Sequence, residues 1–402
     1  MAMVSTEVLS RKVLAMEESA TLKMAQLGRD LAAKGHHVIS LSLGEPDFDT
    51  PDHIKEAAKK ALDEGYTKYT PVPGLMELRE AICRKFERDN GLHFTPAQIV
   101  VSNGAKQSIA NLCAAMLNPG DEVILFAPYW VSYYDIVSMN EGVPVVVAAG
   151  IDQDFKVTAA QVAAAITDRT KLIIFSSPCN PSGSVFTQDE LEAIAAVLAP
   201  HEQIYIVADE IYEYINFSGA HVSMGTIPSV AARTITVNGF AKGYAMTGWR
   251  LGYIGAPTFI ANACTKIQGQ VTSGANAFAQ KAAVHALDAD LTATYAMRDA
   301  FQKRRELIIG LLEQIPGLKV NHPQGAFYLF PEVSAYFGKS LGDQVINDDN
   351  DLSEYLLAEA HVATVAGEAF GIPGCIRISY AASEEDLREA ARRIAAALGK
   401  LK

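Results

Sequence analysis

Seven short hydrophobic runs recur along the first two thirds of the chain, and segments with helical periodicity separate them. Polar residues do not alternate regularly through these runs, so each predicted strand has two apolar faces. Such strands are typical of a mostly parallel sheet with helices on both sides. The runs are residues 99–102, 122–128, 144–149, 171–178, 203–210, 233–240 and 252–257.

Helix start and stop signals lie in the segments between the runs. In TQDELEAIAAVL, Thr187 is followed three residues later by Glu190, which predicts a capping box at a helix start. A second helix is predicted from the GAKQ stretch at 104–107 through Met116, ending at the stop signal 118–120. Strands alternating with helices predict an α/β fold with a mostly parallel, seven-stranded sheet.

The pattern changes from about Asp299 onward. We expect a long amphipathic helix over 301–314, then the strand GAFYLFPEV, the helix LSEYLLAEAHV and the strand CIRISYAA. The last helix is predicted to begin at Ser383, with Asp386 as its capping partner. These elements predict a second, smaller α+β unit, in which the acidic stretch 342–351 is interpreted as a surface insertion.

Composition and charge narrow the class of protein. The chain has 402 residues, 49% of them hydrophobic and 20% charged, as in soluble globular proteins, and its length predicts two or three units. The formal charge of −12 offers no basic field for nucleic acid. The densest basic run, residues 303–305, is interpreted as the solvated face of a helix. Nucleic acid is therefore not expected as a partner.

Five scattered cysteines never form a CxxC pair, which argues against a disulfide framework and a zinc site. No metal is expected, and free cysteines fit a reducing cytoplasm. The N-terminal stretch carries Glu7, Glu17 and Glu18 without an unbroken apolar core, so neither a signal peptide nor a transit peptide is predicted. No run approaches the ~20 apolar residues of a membrane span. A membrane is not expected as a partner either.

Two cations stand among small and apolar residues in TVNGFAKGYAMTGWRLGY at 236–253. Burial disfavours the charged form of an amine, which would make Lys242 a better nucleophile or base near neutral pH. Alternatively, Lys242 extends its ammonium group to the surface, as many lysines beside strands do.

Polar residues also follow other predicted strands. Asp209 ends QIYIVAD, and Tyr212 follows three residues later, so both are placed at the carboxyl edge of the sheet, where ligands bind. The alternative for Asp209 is a helix N-cap. The turn Gly104-Ala105-Lys106 opens a helix and offers N–H groups to a phosphate, although such turns also serve only as tight connections. No GxGxxG or GxxxxGK[ST] motif is present.

Three further residues have both a functional and a structural interpretation. Asn180 lies in the turn NPSG, which could be a simple chain reversal, and Trp130 in APYW could be a core aromatic residue. Arg377 alternates with isoleucines in CIRIS, where a buried guanidinium needs a planar anion. An exposed arginine on an edge strand is the alternative.

Together, these features match the requirements of pyridoxal phosphate chemistry on amino acids: an amine, a carboxylate for the ring nitrogen, a phosphate site, an aromatic plate and a carboxylate-binding arginine. The chain resembles the class I and II aminotransferases of fold type I, and most closely the bacterial aspartate aminotransferase subgroup. The resemblance covers nearly the whole chain and rests on SLGEPDFDTP, YTPVPG, GAKQ, PYW, NPSG, DEIY, GFAKGYAMTGWRLGY and IRISYA in the order of the family.

The resemblance implies roles for the cofactor-binding residues. Lys242 would be the lysine that forms a Schiff base with pyridoxal phosphate and then acts as acid–base catalyst, and Asp209 would pair with the pyridinium nitrogen. Tyr212 and Asn180 would bind the 3′-oxygen of the ring, and Trp130 would stack on it. The resemblance thus implies a ping-pong transamination.

The resemblance also implies a phosphate site and a homodimer with shared active sites. Arg250 and the turn 104–106 would bind the phosphate, with Tyr69 reaching in from the other subunit. This chain departs from many aspartate-type members, which have hydroxyl residues where Gly239 and Ala241 stand. The departure leaves open which groups complete the hydrogen bonds to the phosphate.

Substrate binding follows from the same resemblance. Arg377, with Asn180 and the backbone of Gly44, would bind the α-carboxylate. Lys106 and Thr21 would receive a distal carboxylate, which favours aspartate as amino donor and 2-oxoglutarate as acceptor. Prephenate, aromatic and kynurenine aminotransferases share most of the pattern and remain alternatives.

Two other classes of protein have the same fold. A carbon–sulfur β-lyase would release pyruvate and a thiol without an added oxo acid. Transcription regulators carry such a domain behind a helix-turn-helix, for which the first 40 or so residues show no basic recognition helix. We expect residues 50–297 to form a large cofactor-binding domain, and residues 1–49 with 298–402 to form the small domain.

Overall fold

The computed structural model describes residues 8–14, 16 and 18–402. Within these residues, all seven hydrophobic runs contribute to one seven-stranded sheet, as predicted. Its strands, in spatial order, are Ile99–Ser102, Gly252–Gly255, Thr234–Gly239, Tyr205–Asp209, Thr170–Ser176, Glu122–Ala127 and Val143–Ala148.

The sheet is mostly parallel. Only Gly252–Gly255, among its strands in the described chain, runs antiparallel to both neighbours. The prediction of two covered faces is wrong for Val143–Ala148, where Val143 and Val146 are 42% and 40% exposed. That strand forms the edge of the sheet, and the adjacent helices cover only part of it.

Helices pack on both faces because side chains alternate along each strand. On Glu122–Ala127, Val123 and Leu125 join one apolar cluster, whereas Ile124 and Phe126 join another on the opposite face. The α-helices of the described residues are Arg11–Leu14, Ala20–Ala33, Asp52–Asp63, Met76–Lys85, Ala105–Met116, Ser132–Met139, Ala159–Ala165, Gln188–Leu198, Thr258–Val271, Ala277–Asp288, Thr292–Leu312, Asp349–Tyr355 and Glu384–Leu398.

Both helix starts predicted from capping boxes are confirmed. Thr187 accepts a hydrogen bond from the backbone N–H of Glu190, at 3.3 Å, at the start of Gln188–Leu198. Ser383 accepts one from the backbone N–H of Asp386, at 3.0 Å, at the start of the last helix. Capping is local in sequence and was therefore predictable without the fold.

The C-terminal third forms an α+β arrangement. A three-stranded sheet contains Val365–Ala366, Ile376–Ser379 and Tyr328–Leu329 in that order. The preceding helix is longer at its start than predicted and spans Thr292–Leu312. Ile39–Ser40 pairs in parallel with Val362–Ala363, and the N–H of Leu41 continues this contact by donating to the carbonyl oxygen of Ala363 at 2.9 Å.

Two surface assignments were wrong. The acidic stretch 342–351 is not simply an insertion, because the buried Asp349 begins the helix Asp349–Tyr355. In the run 303–305, the side chains of Arg304 and Arg305 are each only 14% exposed. Arg304 pairs with Asp47 at 2.6 Å, and Arg305 donates to a backbone carbonyl. Basic composition alone could not reveal these tertiary partners.

The prediction that the chain carries neither a signal peptide nor a transit peptide depends in part on Glu7 and Glu17. These two residues lie outside the described residues. None of the helices over residues 8–14, 16 and 18–402 has both the length and the apolar character needed to cross a membrane.

Candidate active site

A cavity of about 360 Å³ opens at the carboxyl ends of the parallel strands. Almost all the predicted site residues contribute to its lining, although they come from distant parts of the chain. Those that do are Thr21, Gly44, Gly104, Ala105, Lys106, Trp130, Asn180, Asp209, Tyr212, Lys242, Arg250 and Arg377.

Tyr69 is the exception and does not line this cavity within the chain. Its side chain is 98% exposed. A residue with that exposure makes little contact with its own subunit, so its predicted contribution to the site of a second subunit stays a prediction.

Strand register explains why these residues meet. Ser176 and Asp209 are adjacent partners at the ends of neighbouring parallel strands. Lys242 follows the next strand, which ends at Gly239. Parallel strands align their carboxyl ends, so polar residues just beyond each strand converge on one side of the sheet.

Lys242 points into the cavity rather than to the surface. Its Nζ donates a hydrogen bond to the carbonyl oxygen of Gly44. Burial lowers the pKa of Lys242 to about 8, and the nearby charge of Arg377 acts in the same direction. More of this amine is therefore neutral near physiological pH than of an exposed lysine, which favours its use as a nucleophile or a base.

Asp209 is a buried carboxylate, only 5% exposed. It accepts hydrogen bonds from the Tyr133 hydroxyl at 2.7 Å and from the backbone N–H of Ile211 at 3.2 Å. Burial raises the pKa of Asp209 to about 6, while the hydrogen bond from Tyr133 opposes this rise. The N-cap alternative is wrong, because residues 211–214 form turns rather than a helix.

The turn at Gly104 forms an anion cradle. Gly104 is the N-cap of the helix Ala105–Met116 and has no side chain to satisfy the free N–H groups of the first turn. The guanidinium of Arg250 packs so closely that a Cβ at Gly104 would lie 2.6 Å from Nη2. Burial lowers the pKa of Lys106, and the charge of Arg250 lowers it further. A guanidinium beside the free N–H groups of a helix N-terminus fits a phosphate group.

The departure at Gly239 has a steric reason. A Cβ there would lie 2.9 Å from Cα of Gly252 on the neighbouring strand and 3.0 Å from the carbonyl oxygen of Leu251. Close backbone approach thus excludes a hydroxyl side chain at this position. Ser176 and Thr247 also line the cavity and carry hydroxyl groups.

Arg377 lies on the central strand of the small sheet and is 2% exposed, so the exposed-edge alternative is wrong. Nη1 donates to Oδ1 of Asn180 at 3.0 Å, and Nη2 donates to the carbonyl oxygen of Ser42. Its Nε is buried and makes no hydrogen bond. A buried guanidinium that lines a cavity suits a planar carboxylate ligand.

The two residues predicted for a distal carboxylate also reach the cavity. Lys106 Nζ lies 5.0 Å from the centre of the Trp130 ring, within the range of a cation–π contact. The Thr21 hydroxyl is buried without a hydrogen-bond partner. Both therefore have donor capacity available to a ligand.

Sequence reasoning missed several residues of the site, among them two tyrosines and a serine. Tyr133 binds Asp209, the Tyr328 hydroxyl lies 2.7 Å from that of Tyr212, and Ser176 adjoins Asp209 in the sheet. Ser176 could have been found as a polar residue ending a buried strand. The tyrosines carried no comparable signal, because aromatic residues beside apolar ones are common in cores.

A buried ionic cluster lies just beyond the end of the strand Tyr205–Asp209. Glu210, Glu213 and His221 place ligand atoms within 4.8 Å of one another, a spacing that could hold a metal ion. In the structure, Lys85 Nζ forms an ion pair with Glu213, and Asn90 donates to Glu213 at 2.7 Å. The lysine ammonium therefore supplies the positive charge that a metal would otherwise provide.

Comparisons with known proteins agree with one another. A sequence profile described as aminotransferase class I and II matches residues 36–394. The aspartate/prephenate aminotransferase of Cereibacter sphaeroides is 48% identical over 391 residues, covering 96% of this chain and 98% of that protein. The aspartate aminotransferase of Pinus pinaster is 45% identical over 392 residues, covering 96% and 80%.

Solved structures show the same similarity. The aspartate aminotransferase from Rhizobium meliloti superposes with a TM-score of 0.95 at 41% identity, covering 98% of this chain and 99% of that one. The aspartate aminotransferase from Thermus thermophilus with maleate has a TM-score of 0.91 at 42% identity, covering 97% and 99%.

Proposed function

The chain belongs to the class I and II aminotransferases and is a pyridoxal phosphate-dependent enzyme, and from this premise we propose that it uses aspartate as amino donor and 2-oxoglutarate as acceptor. One observation carries the substrate proposal. The cavity that contains Lys242 has separate cations, Arg377 and Lys106, contributed by different parts of the fold. Two cationic groups suit a substrate with two carboxylates.

The site residues fit the cofactor. When bound, pyridoxal phosphate supplies an aldehyde and an electron-withdrawing ring. We propose that Arg250 and the N–H groups of the turn 104–106 hold its phosphate, and that Asp209 binds its ring nitrogen. Tyr212, Asn180 and Trp130 would orient the ring, and Lys242 would hold the aldehyde. The anion cradle and the buried, hydrogen-bonded carboxylate support this arrangement.

We propose that Lys242 also moves the proton during transamination. Its lowered pKa, about 8, leaves the amine able to accept a proton from the substrate Cα and to return it at the cofactor carbon. The carbonyl of Gly44 accepts a hydrogen bond from Nζ and keeps the amine within the cavity. Lys242 is therefore both nucleophile and acid–base catalyst.

Arg377 would bind the substrate α-carboxylate, assisted by Asn180 and the backbone of Gly44. The hydrogen bond between Nη1 and Asn180 orients the guanidinium plane. Lys106 and Thr21 would bind the distal carboxylate. The Thermus thermophilus relative was solved with maleate, itself a dicarboxylate, which supports this assignment.

Prephenate is a second candidate substrate. The relative from Cereibacter sphaeroides is named for both aspartate and prephenate. In this chain, Leu22 and Leu43 line the cavity and are 59% and 39% exposed. Exposed apolar side chains beside two cationic groups would suit a ring that carries two carboxylates.

We further propose a cytoplasmic homodimer with shared active sites. The exposure of Tyr69, Val271 and Met76, at 98%, 69% and 53%, supports an apolar contact surface for a second copy. Five free cysteines support a reducing compartment. We retain the division into domains 50–297 and 1–49 with 298–402, although the helix Thr292–Leu312 runs across the boundary.

Substrate competition tests the dicarboxylate proposal. We expect Lys106→Met to lower the ratio of kcat/KM for aspartate to that for alanine by about 10- to 100-fold, since alanine lacks the distal carboxylate. The ratio cancels any effect of Lys106 on the cofactor phosphate. Lys303→Met, at an exposed position, is the control and should leave the ratio unchanged. A wild-type protein that uses alanine as efficiently as aspartate would contradict the proposal.

A further inference from the structure

Tyr133 is a fully buried residue whose hydroxyl reaches the predicted cofactor site. It lies in the first turn of the helix Ser132–Met139 and is 0% exposed. Its hydroxyl donates to Oδ2 of Asp209 at 2.7 Å. Its ring packs edge-on against Trp130, with centroids 5.5 Å apart and an interplanar angle of 87°. Packing thus fixes the ring, and the ring fixes the direction of the hydroxyl.

Two hydrogen-bond donors hold the Asp209 carboxylate. Oδ2 accepts a hydrogen bond from the Tyr133 hydroxyl, and Oδ1 accepts one from the backbone N–H of Ile211 at 3.2 Å. With both oxygens held, the carboxylate cannot turn freely, yet each oxygen retains a lone pair for a ligand. A buried carboxylate without such donors would become protonated instead of remaining charged.

Other ionisable groups around Asp209 act in opposite directions. Glu210 disfavours the carboxylate charge and Lys242 favours it. Tyr212 and Cys179 are also close enough to interact electrostatically with Asp209. Tyr133 differs from all four, because the structure records its side chain as a hydrogen-bond donor to this carboxylate.

We propose that Tyr133 is a positioning residue, which orients the Asp209 carboxylate and keeps it ionised for the ring nitrogen of the cofactor. This inference rests on the proposed role of Asp209. Tyr133 would act only through Asp209 and would not itself react with the substrate or the cofactor.

The test measures binding of pyridoxamine 5′-phosphate, which needs no bond to Lys242, by quenching of tryptophan fluorescence. Tyr133→Phe keeps the ring and removes the donor. Tyr134→Phe makes the same chemical change next to it, at a residue that is 44% exposed and lies outside the cavity. Thermal unfolding without cofactor checks that both variants fold.

The expected effect depends on pH. Without the donor, the Asp209 pKa rises, so the charged form is lost at a higher pH than in the wild type. We expect the dissociation constant of Tyr133→Phe to increase about tenfold or more at pH 6 and less than about twofold at pH 8.5. Tyr134→Phe should bind as the wild type does at both values.

A double-mutant cycle separates the inference from the proposed function. Tyr133→Phe should have little further effect in an Asp209→Asn protein, because it acts through that charge. Additive losses, or a Tyr133→Phe loss that is equal at every pH, would overturn the inference alone. Unchanged binding in Asp209→Asn would overturn both.

If Tyr133→Phe does not fold, the pH dependence of binding to the wild type still tests the inference. The same assay then compares the wild type with Asp209→Asn, which cancels the titration of the ligand itself. The ratio of the two dissociation constants should be largest at pH 8.5 and should shrink as the pH falls towards about 6, where the charge of Asp209 is lost. A ratio that does not change with pH would overturn the inference.

Discussion

Removing the ammonium group of Lys85 should destabilise the fold strongly. The side chains of Lys85 and Glu213 are 1% and 3% exposed and form an ion pair. Lys85 also donates to Oδ1 of Asn90 at 2.6 Å. In the Lys85→Met variant, the carboxylate of Glu213 would remain buried without its lysine partner, whereas Glu210 would keep its contact with His221 at 3.0 Å.

The magnitude follows from the exposure of the pair. Breaking a buried ion pair by removing one partner costs about 3–5 kcal/mol, because the other charge stays buried. Lys59 and Glu56 form a matched exposed pair at 2.6 Å, with side chains 67% and 66% exposed. Exposed pairs contribute only about 0.2–1 kcal/mol. Lys85→Met should therefore cost several times more than Lys59→Met.

Urea unfolding of the protein without cofactor, followed by circular dichroism at pH 7, measures both variants. Combining Lys85→Met with Glu213→Gln removes the uncompensated charge and should recover part of the lost free energy of unfolding. Equal losses in Lys85→Met and Lys59→Met would refute the assignment of Lys85 as a buried counter-ion. Failure of Glu213→Gln to recover any stability would refute the charge argument itself.

Two further variants address the chemistry. Lys242→Ala should bind pyridoxal phosphate without a covalent bond and lose turnover, as absorbance spectra and a coupled transaminase assay would show; near wild-type turnover would contradict the assignment. Arg377→Lys keeps the charge but loses the planar pair of donors, so kcat/KM for aspartate should fall about 10²-fold or more while cofactor affinity stays the same. An equal loss of cofactor affinity would place Arg377 at the cofactor instead.

Much of the fold could be predicted from local patterns. Each of the seven hydrophobic runs became a strand of the large sheet, and Thr187 and Ser383 cap helices where their spacing predicted. These features depend on neighbours a few residues apart, so the chain carries them without reference to the fold. The partly exposed edge strand Val143–Ala148 was not foreseen, because composition does not reveal a position in the sheet.

The residues of the candidate site could likewise be predicted only in part from the sequence. Lys242, Asp209 and Arg377 stand in recognisable motifs, and the structure brings all three into one cavity. Tyr328 meets Tyr212 across 116 positions, and no motif marked that contact. The order of motifs can indicate which residues belong to the site. Their hydrogen-bond partners depend on distances between side chains, which only the folded structure determines.

By itself, the amino-acid sequence determined the strands, the helix caps, the family and the residues most able to perform amino-group chemistry. The tertiary structure decided which of these groups are buried and what they contact. Tyr133 and Asp209 are 76 positions apart, yet their oxygens lie 2.7 Å from each other. Solvation and hydrogen bonding set the charge state of such groups, and both depend on the packing of segments that are distant in sequence.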